Sequence, residues 1–150
     1  MPEFDDAWYE EWIRQMVEGG GNVIAALGLR PVEASAERVV MEMPMGPNVR
    51  QGTGVFAAGP LMQLADVGAT MIIQRASGST PENPAPFPLS VQISVNLLRN
   101  TNTGKAISES RIVHRGRTLT VVESRVHDEA GRLLCIVTST HVAPGTVNPA

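Results

Sequence analysis

The sequence predicts an α+β domain in which an antiparallel sheet wraps one long apolar helix. Three features predict it. The run from Pro60 to Gln74 is apolar except at Gln63, Asp66, Thr70 and Gln74, four strand-like segments joined largely by short turns follow it, and one precedes it. A helix this apolar has to be covered on most sides, and consecutive strands with short turns form a sheet able to cover it.

Taken in chain order, Trp8, Trp12, Ile13 and Met16 suit a short amphipathic helix ended by Gly19-Gly20-Gly21, an N-terminal appendage over residues 1–25. From Arg38 to Met45 the apolar Val39, Met41, Met43 and Met45 alternate with mostly polar residues, the period of a strand with one buried face. Gly46-Pro47-Asn48 closes that strand, and the small-residue loop Gln51 to Gly59 feeds Pro60, a residue favoured at the start of a helix. Within the helix, Ala65, Gly68 and Ala69 are small enough for another backbone to pack closely. Prolines 81, 84, 86 and 88 with Gly78 make residues 76–88 a loop and a candidate rim or lid. Val91, Ile93, Val95 and Leu97 alternate with polar residues in the next strand. Ala106 to His114, Thr118 to Val126 and Arg132 to Val142 complete the set, turned by Arg115-Gly116-Arg117 and Asp128-Glu129-Ala130-Gly131. Residues 145–150 are read as a tail.

At 150 residues, 43% hydrophobic and 18% charged, the chain has the size and balance of one globular domain. The single cysteine, Cys135, closes no intrachain disulfide and sits among Leu133, Leu134, Ile136 and Val137, where a thiol behaves as a small core hydrophobe. The acidic N-terminus lacks the pattern of a secretory signal, so a cytoplasmic location is expected. Val55 to Ile73 is long and apolar, but Pro60, Gln63 and Asp66 interrupt it and no aromatic or basic anchors flank it, which favours a core helix over a membrane partner. The net charge of −3 provides no bulk argument for nucleic acid. Residues 1–50 hold nine acids against four arginines, whereas Arg99, Lys105, Arg111, Arg115, Arg117 and Arg125 face only Glu109 and Glu123 in the segment 99–125. That segment is either a positive patch for a phosphorylated small ligand or a set of strands facing water.

Asp66 is the only charged residue between Arg50 and Arg75. A carboxylate on an apolar helix is costly unless compensated, and it serves either chemistry or a structural hydrogen bond. It shares one helical stripe with Gln63, Thr70 and Gln74, and a purely solvated stripe would normally carry Lys or Glu. The start of the helix is a second feature. Its first N–H groups lack intrahelical partners and carry the positive end of the dipole, so Ala57-Ala58-Gly59 before Pro60 can polarise a carbonyl or hold an anion. His114, His127 and His141 have no carboxylate or cysteine at ligand spacing, so no metal site and no cofactor are expected. The methionines read as core filler.

The run Gly54-Val55-Phe56-Ala57-Ala58-Gly59-Pro60-Leu61-Met62-Gln63-Leu64-Ala65-Asp66 resembles the PaaI-type hotdog-fold acyl-CoA thioesterases, whose signature is a Gly-rich loop leading into a helix that carries Leu-Ala-Asp. Ser90 to Asn100, His114-Arg115-Gly116-Arg117 and Asp128 to Leu133 are similar to that family's later strand and hairpins, so the resemblance spans roughly residues 25 to 144. It implies a hotdog fold, an acyl-CoA substrate and Asp66 as nucleophile or general base. The N–H at Ala58, beside Gly59, would hold the thioester carbonyl, Gln51 and Ser90 would position water, and Gly54 would line the substrate. Arg99, Arg115 and Arg117 would meet the CoA phosphates. Many members carry His-Gly-Gly where this chain has Ala57-Ala58-Gly59, but the N–H is a backbone group that Ala58 still supplies. A non-enzymatic acyl-CoA sensor and a hotdog dehydratase are the competing readings. The second requires a histidine near the loop, and no histidine precedes residue 114.

Helix geometry adds an expectation about assembly. Asp66 lies eight residues beyond Ala58, roughly 12 Å along one helix axis at ~1.5 Å per residue. One helix therefore cannot hold both ends of a reacting thioester, whereas antiparallel helices in a two-fold homodimer can, with two equal shared sites. The resemblance implies the same homodimer, with the strand Ser90 to Leu98 joining across it and dimers of dimers common.

Overall fold

The computed structural model describes residues 7, 10, 11, 14, 23–80 and 82–143. The helix expected around Trp8, Trp12, Ile13 and Met16, the position of Pro81 and the tail 145–150 lie outside the described residues. The described elements run α1 (Val23–Leu27), β1 (Arg30–Ala34), β2 (Val39–Pro44), α2 (Ala58–Ala76), β3 (Leu89–Leu97), β4 (Lys105–Arg115), β5 (Leu119–Asp128) and β6 (Leu133–Val142). The strands form one antiparallel six-stranded sheet in the order β1-β2-β4-β5-β6-β3, with α2 packed across it. This is the α+β, wrapped-helix architecture that the residue patterns predict.

One strand goes beyond the sequence expectation. The segment Arg30–Ala34 pairs with β2 at the edge of the sheet. Pro31 obscures it in the sequence, because proline removes a ladder donor and is tolerated in strands mainly at edges, which is where β1 lies. The helix is also longer than Pro60 to Gln74. It starts at Ala58, which places Pro60 in its first turn, where the N–H that proline lacks would have had no intrahelical partner.

Leu61, Leu64, Met71 and Ile72 of α2 are fully buried against Met41, Met43, Val122, Val126 and Leu134 of the sheet. Each such side chain stabilises the fold by about 1.5–3 kcal/mol through its removal from water. Close approach to β4 depends on Gly68, since a Cβ there would lie 2.7 Å from Ser110 Oγ. Ser110 in turn shares a 2.7 Å hydrogen bond with Ser124, which donates to the Ala65 carbonyl at 3.4 Å. Small polar residues under a small helix face thus let backbone and sheet meet. Cys135 is buried in this core, and burial pushes its thiol pKa up to about 11.

The basic residues of the 99–125 segment do not form one patch. Lys105, Arg111 and Arg125 pair with Glu42, Glu109 and Glu123. Arg115 caps the far end of α2, donating to the Ala76 carbonyl at 2.9 Å and to Ser77 Oγ at 3.4 Å. Arg117 follows it in the β4–β5 hairpin, while Arg99 sits after β3 beside Asn100, the residue that contacts the loop before α2. Arg99 and Arg117 make no ion pair among the described residues. No helix among the described residues is long and apolar enough to cross a membrane.

Candidate active site

Asp66 lies on the one α2 stripe that is only partly covered, together with Gln63, Thr70 and Gln74. Beside it is a cavity of about 220 Å³ walled by Val23, Ile24, Val67, Phe87, Pro88 and Leu89. Ser90 shares that wall, and its hydroxyl donates a 2.6 Å hydrogen bond to Asp66 Oδ1. The structure therefore brings together two of the residues the sequence singles out, from segments 24 positions apart.

Strand β3 delivers Ser90 by breaking its own alternation. Read from Ile93 backwards, period two puts Val91 on the helix-facing side and Ser90 on the outside. The pairing register corrects that expectation: Ser90 opposes His141 and Gln92 opposes Thr140, which leaves Val91 as the extra residue of a β-bulge. Ser90 then shares the inner side with Ile93, and Val91 is left 48% exposed. Bulges beside functional sites commonly re-aim a side chain in this way.

The register also draws in His141, a histidine that the sequence marks only as lacking metal-ligand spacing. His141 is 1% exposed, with Nδ1 3.3 Å from Ser90 Oγ and Nε2 2.8 Å from Ser139 Oγ. Burial lowers its pKa below the usual 6.5, against a smaller opposing pull from Asp66. The available signal was positional: Val137, Ser139 and His141 alternate onto the buried side of the last strand. Sequence alone did not reveal what they meet there.

The other predicted residues gather at the start of α2. Ala57 N donates to the Val49 carbonyl, Arg50 bridges Phe56, and Gln51 is exposed with its amide on Thr53 Oγ1 at 3.0 Å. Gly54 adopts φ +90 in the same loop and its N–H bonds the Gln51 carbonyl. Asn100, which no motif in the sequence marks as a site residue, clamps this loop. Its Nδ2 donates to the Phe56 carbonyl at 2.8 Å while its Oδ1 accepts from the Phe56 N–H at 3.2 Å. No side chain among the described residues caps the start of α2. Pro60 has no N–H and Leu61 N bonds the Ala57 carbonyl at 3.4 Å, while the N–H groups of Ala58 and Gly59 find no acceptor among the described residues. Both residues are exposed. Two unfilled donors at the positive end of a helix suit an oxyanion or a carbonyl oxygen. Within one chain, then, the donors stand about two helical turns from the carboxylate, at ~5.4 Å per turn.

Comparison with known proteins agrees with this architecture. The family model described as the thioesterase superfamily matches residues 53–135, a span that includes the loop from Thr53 onward, Asp66 and Ser90 but leaves out Gln51, Ser139 and His141. ComA2 of Bacillus subtilis, provisionally named an esterase, is 34% identical over 116 residues that cover 76% of this chain and 87% of that protein. A Deinococcus radiodurans protein, also provisionally named an esterase, is 32% identical over 127 residues, or 83% of this chain and 77% of its own. In fold, the chain is similar to the PaaI protein of E. coli, with a TM-score of 0.73 over 92% of this chain and 96% of that one at 13% identity. The chain belongs to the thioesterase superfamily and has its hotdog fold, the fold it shares with PaaI. A hydrolase of thioester or ester bonds is the class of enzyme that this membership supports.

Proposed function

We propose that this chain hydrolyses acyl-CoA thioesters at sites shared between two protomers. The observation that carries the reading is the Asp66 carboxylate, held by Ser90 at the wall of an apolar cavity. Asp66 takes the proton of a water whose oxygen attacks the thioester carbonyl carbon, or attacks that carbon itself. The resulting oxyanion rests on the N–H groups of Ala58 and Gly59 from the other protomer, and its collapse expels the CoA thiolate, which takes up a proton; on the direct route water then cleaves the acyl–Asp66 anhydride to release the acid and restore the carboxylate. Ser90 and Gln51 orient the water and the carbonyl, Gly54 lines the entry, and at least one of Arg99, Arg115 and Arg117 contacts the CoA phosphates.

The dimer has support in β3. This strand ends the sheet, with one edge unpaired among the described residues, and Leu89, Val91 and Leu97 are 39%, 48% and 54% exposed. Long apolar edge strands are normally covered. Pairing β3 with its two-fold copy covers both edges and sets the two α2 helices antiparallel. Release of free CoA thiol across acetyl, medium-chain, long-chain and aromatic acyl-CoAs tests the function. Turnover of at least one class that is abolished in Asp66→Asn supports it, and a folded, dimeric wild type inert to the whole panel overturns it.

A further inference from the structure

Ser90, His141 and Ser139 have one consistent assignment of protons. An ionised carboxylate only accepts, so the 2.6 Å contact commits the single Ser90 hydroxyl proton to Asp66. Toward His141, Ser90 can then only accept, which requires the ring proton on Nδ1 at the 3.3 Å contact. In a neutral imidazole the other nitrogen is bare, so Nε2 accepts from the Ser139 hydroxyl at 2.8 Å. Burial disfavours the charged ring, and with the ring neutral each proton in the chain has one place to go. Ser139 to His141, His141 to Ser90 and Ser90 to Asp66 all run in the same direction.

We propose that His141 is a positioning residue for the chemistry at Asp66: anchored by Ser139, it presents Nδ1–H to Ser90 and thereby aims the Ser90 hydroxyl at the carboxylate. Without that N–H, the Ser90 hydroxyl is free to rotate about its Cβ–Oγ bond and to donate elsewhere. The cross-strand register that sets Ser90 opposite His141 builds the contact into the sheet. His141 itself touches neither the α2 carboxylate nor the cavity beside it, and instead lines a separate cavity of about 290 Å³ near Arg115 and Arg117. Its effect on the reaction therefore passes through Ser90. The kinetic consequence rests on the hydrolase reading above, whereas the hydrogen-bond order does not.

Two measurements test it on the whole 150-residue chain. In ¹⁵N-histidine NMR, the His141 ring should be the Nδ1–H tautomer, and Ser90→Ala and Ser139→Ala should each shift its nitrogens. In kinetics, His141→Ala should lower kcat about tenfold with little change in KM, a scale typical of coupled contacting residues. His141→Asn, which keeps an N–H close to the Nδ1 position, should recover most of that loss. In a Ser90→Ala background, His141→Ala should cost nothing further. An Nε2–H tautomer, ring signals indifferent to Ser90→Ala, or losses that multiply across the double variant would overturn the proposal. If the wild type shows no thioester turnover, the hydrolase reading falls while the NMR arm still decides the order of the hydrogen bonds. The NMR arm also decides it if the His141 variants fail to fold.

Discussion

Ser90 reaches Asp66 at 2.6 Å because its neighbour Val91 is the extra residue of a bulge, so the hydroxyl and not the isopropyl group turns toward α2. The contact joins a helix residue to an edge strand through one rigid donor. It also brings a charged acceptor to a cavity whose remaining walls are largely apolar.

Asp66→Asn should reduce thioester turnover by roughly two orders of magnitude or more, the scale of a positioned base. Asn is isosteric and still accepts from Ser90, so the thermal midpoint should stay close to wild type. Steady-state kinetics beside a melting curve checks both. A folded variant at full rate would assign Asp66 a structural role and place the base or nucleophile elsewhere.

The shared site predicts complementation. Ala57 has φ −72 and ψ 148, the conformation that a residue before proline prefers, so Ala58→Pro should fold while losing one N–H donor. Asp66→Asn and Ala58→Pro should each be nearly inactive as homodimers. Mixed under conditions that exchange subunits, they should regain up to one intact site per heterodimer. Persistent inactivity despite demonstrated exchange would rule out sites built from two chains.

The arginines should separate by role. Arg115 is committed to the C-terminal carbonyl of α2, so Arg115→Ala should lower stability by about 0.5–1.5 kcal/mol, whatever it does to KM. Arg117→Ala and Arg99→Ala should leave stability unchanged. At least one of the three substitutions should raise KM for acyl-CoA more than it lowers kcat, the pattern of lost uniform binding. Urea titrations and initial rates distinguish these effects, and unchanged KM in all three would remove the arginines from the ligand.

Gly68→Ala should destabilise the protein despite adding a better helix former. The helix-propensity gain is about 1 kcal/mol, but the new Cβ would sit 2.7 Å from Ser110 Oγ. Relief displaces a hydroxyl bonded to Ser124, and overpacking of this kind costs about 1–3 kcal/mol. Adding Ser110→Ala removes the clashing oxygen and leaves Ser110 Cβ at an ordinary 3.7 Å. The double variant should therefore be more stable than Gly68→Ala alone by denaturant midpoint.

Stability should fall on acidification through His141. Burial lowers its folded pKa below 6.5, so the unfolded chain binds a proton that the folded chain resists. The resulting stability is fully present above about pH 6.5 and is lost progressively as pH drops toward the folded value. Asp66 opposes the shift, and Arg115 and Arg117 share the cavity that His141 lines. Urea midpoints between pH 5 and 8 should show a steeper acid-side decline for wild type than for His141→Asn, and equal slopes would show that this ring does not govern it.

Local periodicity was enough to determine the helix, the two C-terminal hairpins, the buried role of Cys135 and the isolation of Asp66 on an apolar face, because each depends on neighbours a few residues away. The small residues around Gly68 likewise announced a close packing partner. Tertiary structure alone decided what lay across the sheet. Pro31 hid β1 until pairing with β2 revealed an edge strand, and the ion pairs of Lys105, Arg111 and Arg125 dispersed an apparent basic patch. The bulge at Val91 reversed the face of Ser90, and the register of β3 against β6 set it opposite a histidine 51 residues away. A period of two states that alternate side chains share a face. It carries no information about where one unpaired residue shifts the phase, or about which distant strand supplies the partner, because register is settled by packing over the whole sheet.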